Sequence, residues 1–430
     1  MASTKKFDIY YFVTLLIVLI SANANILSTS DILWFAVLGF IFLTAVFQKV
    51  IKLNDIKFIS IFSAVFLLFV ILRDLLINSL DSSFVLSDVV FLFKFILLVY
   101  LYCLILKKNA AAYIVTVITH LTIISFFFFA LQLASGDVIY KLSTAIGLPS
   151  PNQIPGYTNF IIFTFVKDFH DYSNSGFAWE PAAFGCFLII ALLLNLSLNK
   201  FRFDKKSYIL IAGIITTFAT TDYLALLILF FLVYRYKVPK IDAWAVLIIL
   251  AFAIIVVTLP ILGSKISDTY YEDMDDLNRL KFLATYYKHN NMQIPLNRFS
   301  SMVYIFDNFG ASLILGVSNK YDVILNKSYS INISNGIFDF LAKFGLVGLV
   351  YLLYSYSKFF IRYVLKVEYV IYCILILLVL SFGEPILTLP IVLVFLFMEV
   401  DQNGFSKPPE KKKSKFNLPP LENLPPIKAK

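Results

Sequence analysis

Apolar positions in this chain do not alternate with polar ones; they run together. Stretches near 9–27, 32–48, 57–73, 84–106, 110–134, 182–199, 207–220, 222–236, 242–262, 336–357, 367–383 and 385–399 carry few charges. A bilayer core is crossed by about 20 apolar residues in helical conformation, so the pattern predicts about twelve transmembrane helices. The region 207–236 reads as a pair of short helices or as one broken span. The fold class expected is an all-α polytopic membrane protein, with residues 1–402 as a single membrane domain.

The positions of Lys and Arg then set an orientation. Basic residues cluster at Lys5 and Lys6, at Lys49, Lys52 and Lys57, at Lys107 and Lys108, at Lys200 to Lys206, at Arg235 to Lys240, at Lys358 to Lys366, and at Lys411 to Lys413. Each cluster falls on every second loop. By the positive-inside rule both termini are cytoplasmic, and twelve spans keep the alternation unbroken. Trp34, Trp179 and Trp244 fall at helix ends, where interfacial Trp is expected. Lys5-Lys6, an apolar stretch and Ala22-Asn23-Ala24 have the form of a cleavable signal peptide. The many later spans favour an uncleaved first helix.

This topology leaves two long extracytoplasmic loops, 135–181 and 263–335. In the first, the apolar piece NFIIFTFV is too short to span and reads as interfacial or re-entrant. In the second, Leu277, Leu280, Leu283, Ala284 and Tyr287, and then Phe299, Met302, Val303 and Phe306, recur at helical spacing. Both predict amphipathic helices on the outer leaflet. The acidic run Glu272-Asp273-Met274-Asp275-Asp276 lacks the spacing of a calcium loop.

Composition agrees with the pattern. Of 430 residues, 60% are hydrophobic and 15% charged, and the net charge of +9 is mostly the topology signal, with no nucleic-acid partner required. Cys103, Cys186 and Cys373 fall in expected spans, so neither a disulfide framework nor a metal site is implied. Residues 403–430, rich in Pro and Lys, read as a disordered cytoplasmic tail.

Charges at membrane depth are costly and therefore informative. Lys94, Asp88 and His120 lie within spans, and Asp339 and Lys343 stand four apart as an expected ion pair. Glu180-Pro181 opens the span CFLIIALLLNL; Pro suits a first helical turn and a carboxylate suits a helix N-terminus, so a helix start competes with a chemical role. Glu384-Pro385 repeats the theme at an outer turn, where a helix start is expected.

Four segments occur in a suggestive order. Ser175-Gly176-Phe177 leads to Glu180-Pro181 and Phe184. The Thr-rich turn TTFATTDYLALL occupies 216–227. Arg298 is followed by Asn308-Phe309-Gly310 and Leu315-Gly316. Ser334-Asn335-Gly336 runs into Phe344-Gly345-Leu346-Val347-Gly348. With the loop lengths and sidedness, this resembles the O-antigen polymerase and O-antigen ligase superfamily of bacterial polysaccharide assembly, loosely from about residue 135 to the last span. Ligases carry a His where this chain has Ser334, which favours a polymerase. Ser173 and Asn174 stand where the family often has an Arg, with Lys167 and His170 upstream.

The resemblance implies a GT-C-like, metal-independent glycosyltransferase of the bacterial plasma membrane without a cofactor. Its substrates would be undecaprenyl-diphosphate-linked oligosaccharide repeat units at the outer face. A departing diphosphate accumulates negative charge, which fixed cations stabilise, and Arg298, Arg279 and Lys288 are the candidates. The attacking hydroxyl gains from a base, for which Glu180 and His170 are the candidates. Asp222 meets the substrate or caps a helix. Membrane lipids are expected neighbours, and a chain-length-regulating partner stays open. A ligase-type transferase, a transporter or flippase of lipid-linked oligosaccharide, and a non-catalytic scaffold remain alternatives.

Overall fold

The computed structural model describes residues 8–77, 82–146, 157–167, 170–238, 260–280, 282, 294–324, 327–328, 331–364 and 366–398. Most of them are helical. Helix α1 is Ile9–Ser21, α2 Asp31–Phe47, α3 Leu53–Ile77 and α4 Ser82–Phe91; a π-helical turn, Leu92–Leu97, joins α4 to α5, Leu98–Leu106. Next come α6 Ala110–Ile146, α7 Pro181–Leu198, α8 Lys205–Thr217 and α9 Thr220–Lys237. The remaining helices used below are α10 Pro260–Asn278, α11 Arg298–Phe309, α12 Gly336–Val364, α13 Val367–Gly383 and the single turn α14 Pro390–Leu393.

Among the described residues four helical runs are long and apolar enough to cross a membrane: Leu53–Ile77, the composite Ser82–Ser143, Pro181–Leu198 and Gly336–Val364. The apolar helices α1, α2 and α13 are shorter. Helix α7 forms the centre, with almost every residue from Ala183 to Ser197 buried against α6, α8 and α9. Helix α3 is built the other way. It buries only Val70, Arg73 and Asp74, while Ile61, Val65 and Leu68 are exposed. A helix with apolar residues outside and charges inside suits lipid surroundings and is penalised by water.

Most of the buried charges on this side are partnered, whereas the fully buried Asp74 carboxylate accepts no hydrogen bond among the described residues. Arg73 forms an ion pair with Asp88 and donates to the Lys343 carbonyl at 2.9 Å. Asp88 also accepts from the Ser318 hydroxyl at 3.0 Å. Lys94, in the π turn, pairs with Asp31 at 2.6 Å and lies 4.7 Å from the Trp34 ring centre. Trp34 is itself buried, with its indole N–H on the Lys94 carbonyl. His120 hydrogen-bonds with the Tyr11 hydroxyl. Asp339 and Lys343 form the expected pair at 2.9 Å.

Several expectations need correction. Helix α6 does not stop near 134 but continues through a non-helical Ser135 to Ile146. NFIIFTFV is neither interfacial helix nor re-entrant turn. It contributes to an antiparallel hairpin, β1 Tyr157–Asn159 with β2 Thr164–Val166, every strand residue buried. The β-branched and aromatic residues favour a strand, and Asn159 closes the turn by accepting from Ile161 N and donating to the Thr164 hydroxyl. Residues 385–399 do not form one helix across a membrane. Pro385 and Pro390 interrupt the run, and from Pro390 the chain forms only α14 and a 3-10 turn, both buried. The expected helix at 299–306 is observed as α11, which buries Ser300, Ser301, Tyr304 and Ile305 and leaves Phe306 exposed. The pair of short helices at 207–236 is observed as α8 and α9. Most of the expected span 242–262, Lys288 and the basic tail lie outside the described residues.

Asp88→Ala leaves Arg73 buried without its carboxylate and is expected to cost about 3–5 kcal/mol. Asp31→Ala, which removes a partner that is 74% exposed, is expected to cost no more than about 1 kcal/mol. Thermal unfolding midpoints of the two detergent-solubilised variants test that difference.

Candidate functional site

The opening of α7 is held by more than its helix cap. Asn174 is fully buried; its side-chain amide donates to the Ser125 and Thr216 hydroxyls at 3.1 Å each, and its carbonyl oxygen accepts from Gly176 N at 3.0 Å. Its backbone N–H reaches the Thr216 carbonyl, and Gly176 O accepts from Thr164 N at 2.7 Å. Gly176 turns with φ +50°, and a Cβ there would sit 2.4 Å from the Phe184 ring, so this position requires glycine. Upstream, Gln132 donates to the carbonyls of His170, Asp171 and Ser173, fixing the turn that presents His170. The segment 170–180 is thereby tied to α6, α8 and the hairpin before Glu180 is reached.

Glu180 is the N-cap residue of α7, but its carboxylate makes no cap hydrogen bond. It accepts from the Trp179 indole at 3.0 Å instead. Pro181 accounts for the helix start, which leaves the carboxylate available for something else.

The second loop supplies Arg298 and Phe299 to the same site. Strand β3, Ile294–Leu296, pairs in parallel with β4, Ile331–Ile333, and this places Arg298 beside Asn335. Asn335 is fully buried; it donates to the Arg298 carbonyl at 3.1 Å and accepts from Ile337 N at the start of α12. Asp273, from the acidic run, accepts from Phe299 N at 2.9 Å and so caps the exposed N–H groups of α11 from α10. Arg298 Nε donates to Gly383 O at 3.3 Å, and its Nη2 lies 3.6 Å from Glu384 Oε1.

Between these segments lies a cavity of about 670 Å³. Glu180, His170, Arg298 and Phe299 line it together with Thr217, Thr220 and Thr221 of the Thr-rich turn, and Leu378, Val379 and Phe382 of α13 add apolar surface. A carboxylate, an imidazole, a guanidinium and a row of hydroxyls beside an apolar surface match a ligand with an anionic group, several hydroxyls and a hydrocarbon part.

The structure therefore brings Glu180, His170 and Arg298 to one cavity. Asp222 is fully buried and lies behind the Thr-rich turn, accepting from the Thr217 hydroxyl at 3.3 Å, and Ala219, not Asp222, is the N-cap of α9. Arg279 does not line the cavity; it is exposed and paired with Asp275 at 3.1 Å.

Two residues read as structural or inert in the sequence matter here. Glu384 does not start a helix but ends α13, and it is only 2% exposed. It contacts both Arg298 and the Glu180 carboxyl. Burial, and after it the neighbouring Glu180, push the Glu384 carboxyl well above the usual carboxylate range, against the pull of Arg298. The repetition of Glu-Pro was the signal that could have found it. Asp273 was hidden in a run of acids that looks like a solvated surface.

Compared with family models, with curated proteins and with solved structures, the chain gives no significant match in any of the three.

A Cβ on Gly185 would fall 1.7 Å from Asp222 Oδ2, whereas one on Gly39 meets nothing within 4 Å. Gly185→Ala is expected to lose about 1–3 kcal/mol or more through overpacking, and Gly39→Ala to lose none. Asp273→Ala, which uncaps α11, is expected to cost about 1 kcal/mol. Unfolding midpoints of the three variants check these values.

Proposed function

We propose that this protein is a membrane glycosyltransferase that polymerises lipid-linked oligosaccharide repeat units at the outer face of a bacterial plasma membrane. The observation that carries the reading is that Glu180 and Arg298 line one cavity together and reach the same Glu384 carboxyl. The order of motifs and the apolar helices support it, and a GT-C-like arrangement of about twelve spans with both termini cytoplasmic belongs to the same proposal.

In this reaction a hydroxyl of the acceptor sugar attacks the anomeric carbon of the donor unit. The new C–O bond forms as the bond to the diphosphate oxygen breaks, and the polyprenyl diphosphate leaves with the electron pair. Glu180 takes the hydroxyl proton as general base, with His170 lining the same cavity. Arg298 faces the diphosphate, where a guanidinium can bridge two phosphate oxygens. The Thr hydroxyls of the α8–α9 turn accept and donate hydrogen bonds to the sugars, and the α13 wall takes the first isoprene units. Holding two lipid-anchored substrates side by side removes much of the entropic cost of their meeting.

Purified protein in vesicles, supplied with undecaprenyl-diphosphate-linked repeat units, is expected to produce a ladder of longer chains. Glu180→Ala and Arg298→Ala are each expected to slow that ladder by about 100-fold or more. Arg298→Lys is expected to recover only part of the loss, because an ammonium lacks the fork. An intact ladder in both alanine variants would sink the site assignment, and units that only change leaflet would favour a flippase.

A further inference from the structure

Glu384 lines no part of the cavity, yet the charged and titratable side chains around the cavity converge on it. Glu180 approaches from the mouth of α7, Asp222 from α9, Arg298 from α11 and the Cys186 thiol from within α7. Glu180 and Glu384 thus form a carboxyl pair beside one guanidinium. Like charges in contact cannot all ionise, so a proton stays among them.

The surroundings decide where. Asp222 is held by two donors of its own, the Thr217 hydroxyl at 3.3 Å and the Cys186 thiol at 3.9 Å. Glu180 lines the open cavity and accepts from the Trp179 indole at 3.0 Å. Glu384 has neither: it is 2% exposed and its contacts are Arg298 and a second carboxyl. Its backbone is clamped as well. A Cβ on Gly336 would lie 2.3 Å from Glu384 O, and one on Gly383 would lie 3.1 Å from Thr221, so the turn is closely packed on both sides.

We propose that Glu384 is a positioning residue for the transfer: as a neutral acid it shares its proton with Glu180 and accepts from Arg298, setting the direction of both. Glu180 is thereby kept as an oriented carboxylate toward the acceptor hydroxyl, and Arg298 keeps its charge for the diphosphate instead of spending it on a buried anion. Above the pH at which the shared proton is lost, Glu384 becomes charged, repels Glu180 and draws Arg298 back from the cavity. The rate falls on the alkaline side. The role in transfer rests on the glycosyltransferase reading; the shared proton does not.

Two measurements test it. In the ladder assay, Glu384→Gln keeps a neutral donor and acceptor and is expected to stay within about threefold of wild type at neutral pH, with the alkaline fall in rate displaced upward or abolished. Glu384→Ala, assayed only as protein with the wild-type elution profile, is expected to lose about 100-fold at every pH. Independently of activity, the infrared difference spectrum between neutral and alkaline pH is expected to show a protonated carboxyl C=O band that Glu384→Gln lacks. A pH profile of Glu384→Gln superimposable on wild type, or a band that persists in Glu384→Gln, overturns the proposal. A wild-type protein that makes no ladder but shows the band removes the polymerase reading and leaves the shared proton standing.

Discussion

A carboxylate taken out of water inside an apolar bundle is costly unless a cation, donors or a proton meet it, and four such contacts organise this molecule. Asp88 is met by Arg73 and Ser318, Asp222 by Thr217 and Cys186, Asp273 by the Phe299 N–H of α11, and Glu384 by Arg298 and Glu180. Several of these contacts join segments far apart in the chain, such as Asp88 with Ser318 and Glu384 with Arg298. Leaving one unmade costs several kcal/mol per ion, which outweighs most single apolar contacts. The apolar helices supply the volume of the fold, while these few polar contacts select which helices stand side by side.

Much of this organisation was legible in the chain. Long apolar runs predicted helices, and α1 to α9, α12 and α13 occupy positions close to those runs. At 207–236 the apolar pattern left a pair of helices and one broken span open, and the structure shows the pair, with the Thr-rich turn between them. Glu180 stands out as a charge before a long apolar run, Arg298 and His170 only through the order of motifs in the two loops, and all three line the cavity. What remained hidden depended on partners distant in sequence. Nothing local to Glu384 distinguishes a helix start from a buried acid, since that depends on Arg298, 86 positions earlier, reaching it across the fold. Nothing local to Asp273 marks it as a cap for a helix that begins at Arg298. The hairpin at 157–166 was missed for a related reason: a short apolar run fits a strand and a helix equally until its neighbours are known.

The two glycines Gly316 and Gly345 show how tightly the second loop is set against the bundle. Both have positive φ, +83° and +69°, and each would drive a Cβ into the other's backbone segment, at 2.6 Å from Gly345 N and 2.5 Å from Gly316 N. Helix α12 breaks its regular geometry at Gly345 to admit that contact. The loop that carries Arg298 is therefore seated by backbone on backbone, a contact that side-chain motion cannot loosen.

The ion pair between Arg73 and Asp88 also bears on how the protein is made. The two residues lie only 15 apart, on consecutive helices, so the partner follows closely behind during synthesis. An arginine within an apolar helix opposes entry into a bilayer by up to about 2.5–3.5 kcal/mol, a penalty that its own helix would face alone if it were released first. Were α3 and α4 to enter a bilayer together, the charge would be neutralised before it met lipid. Helix α3, which touches the bundle through so few buried residues, is held to it by the same pair.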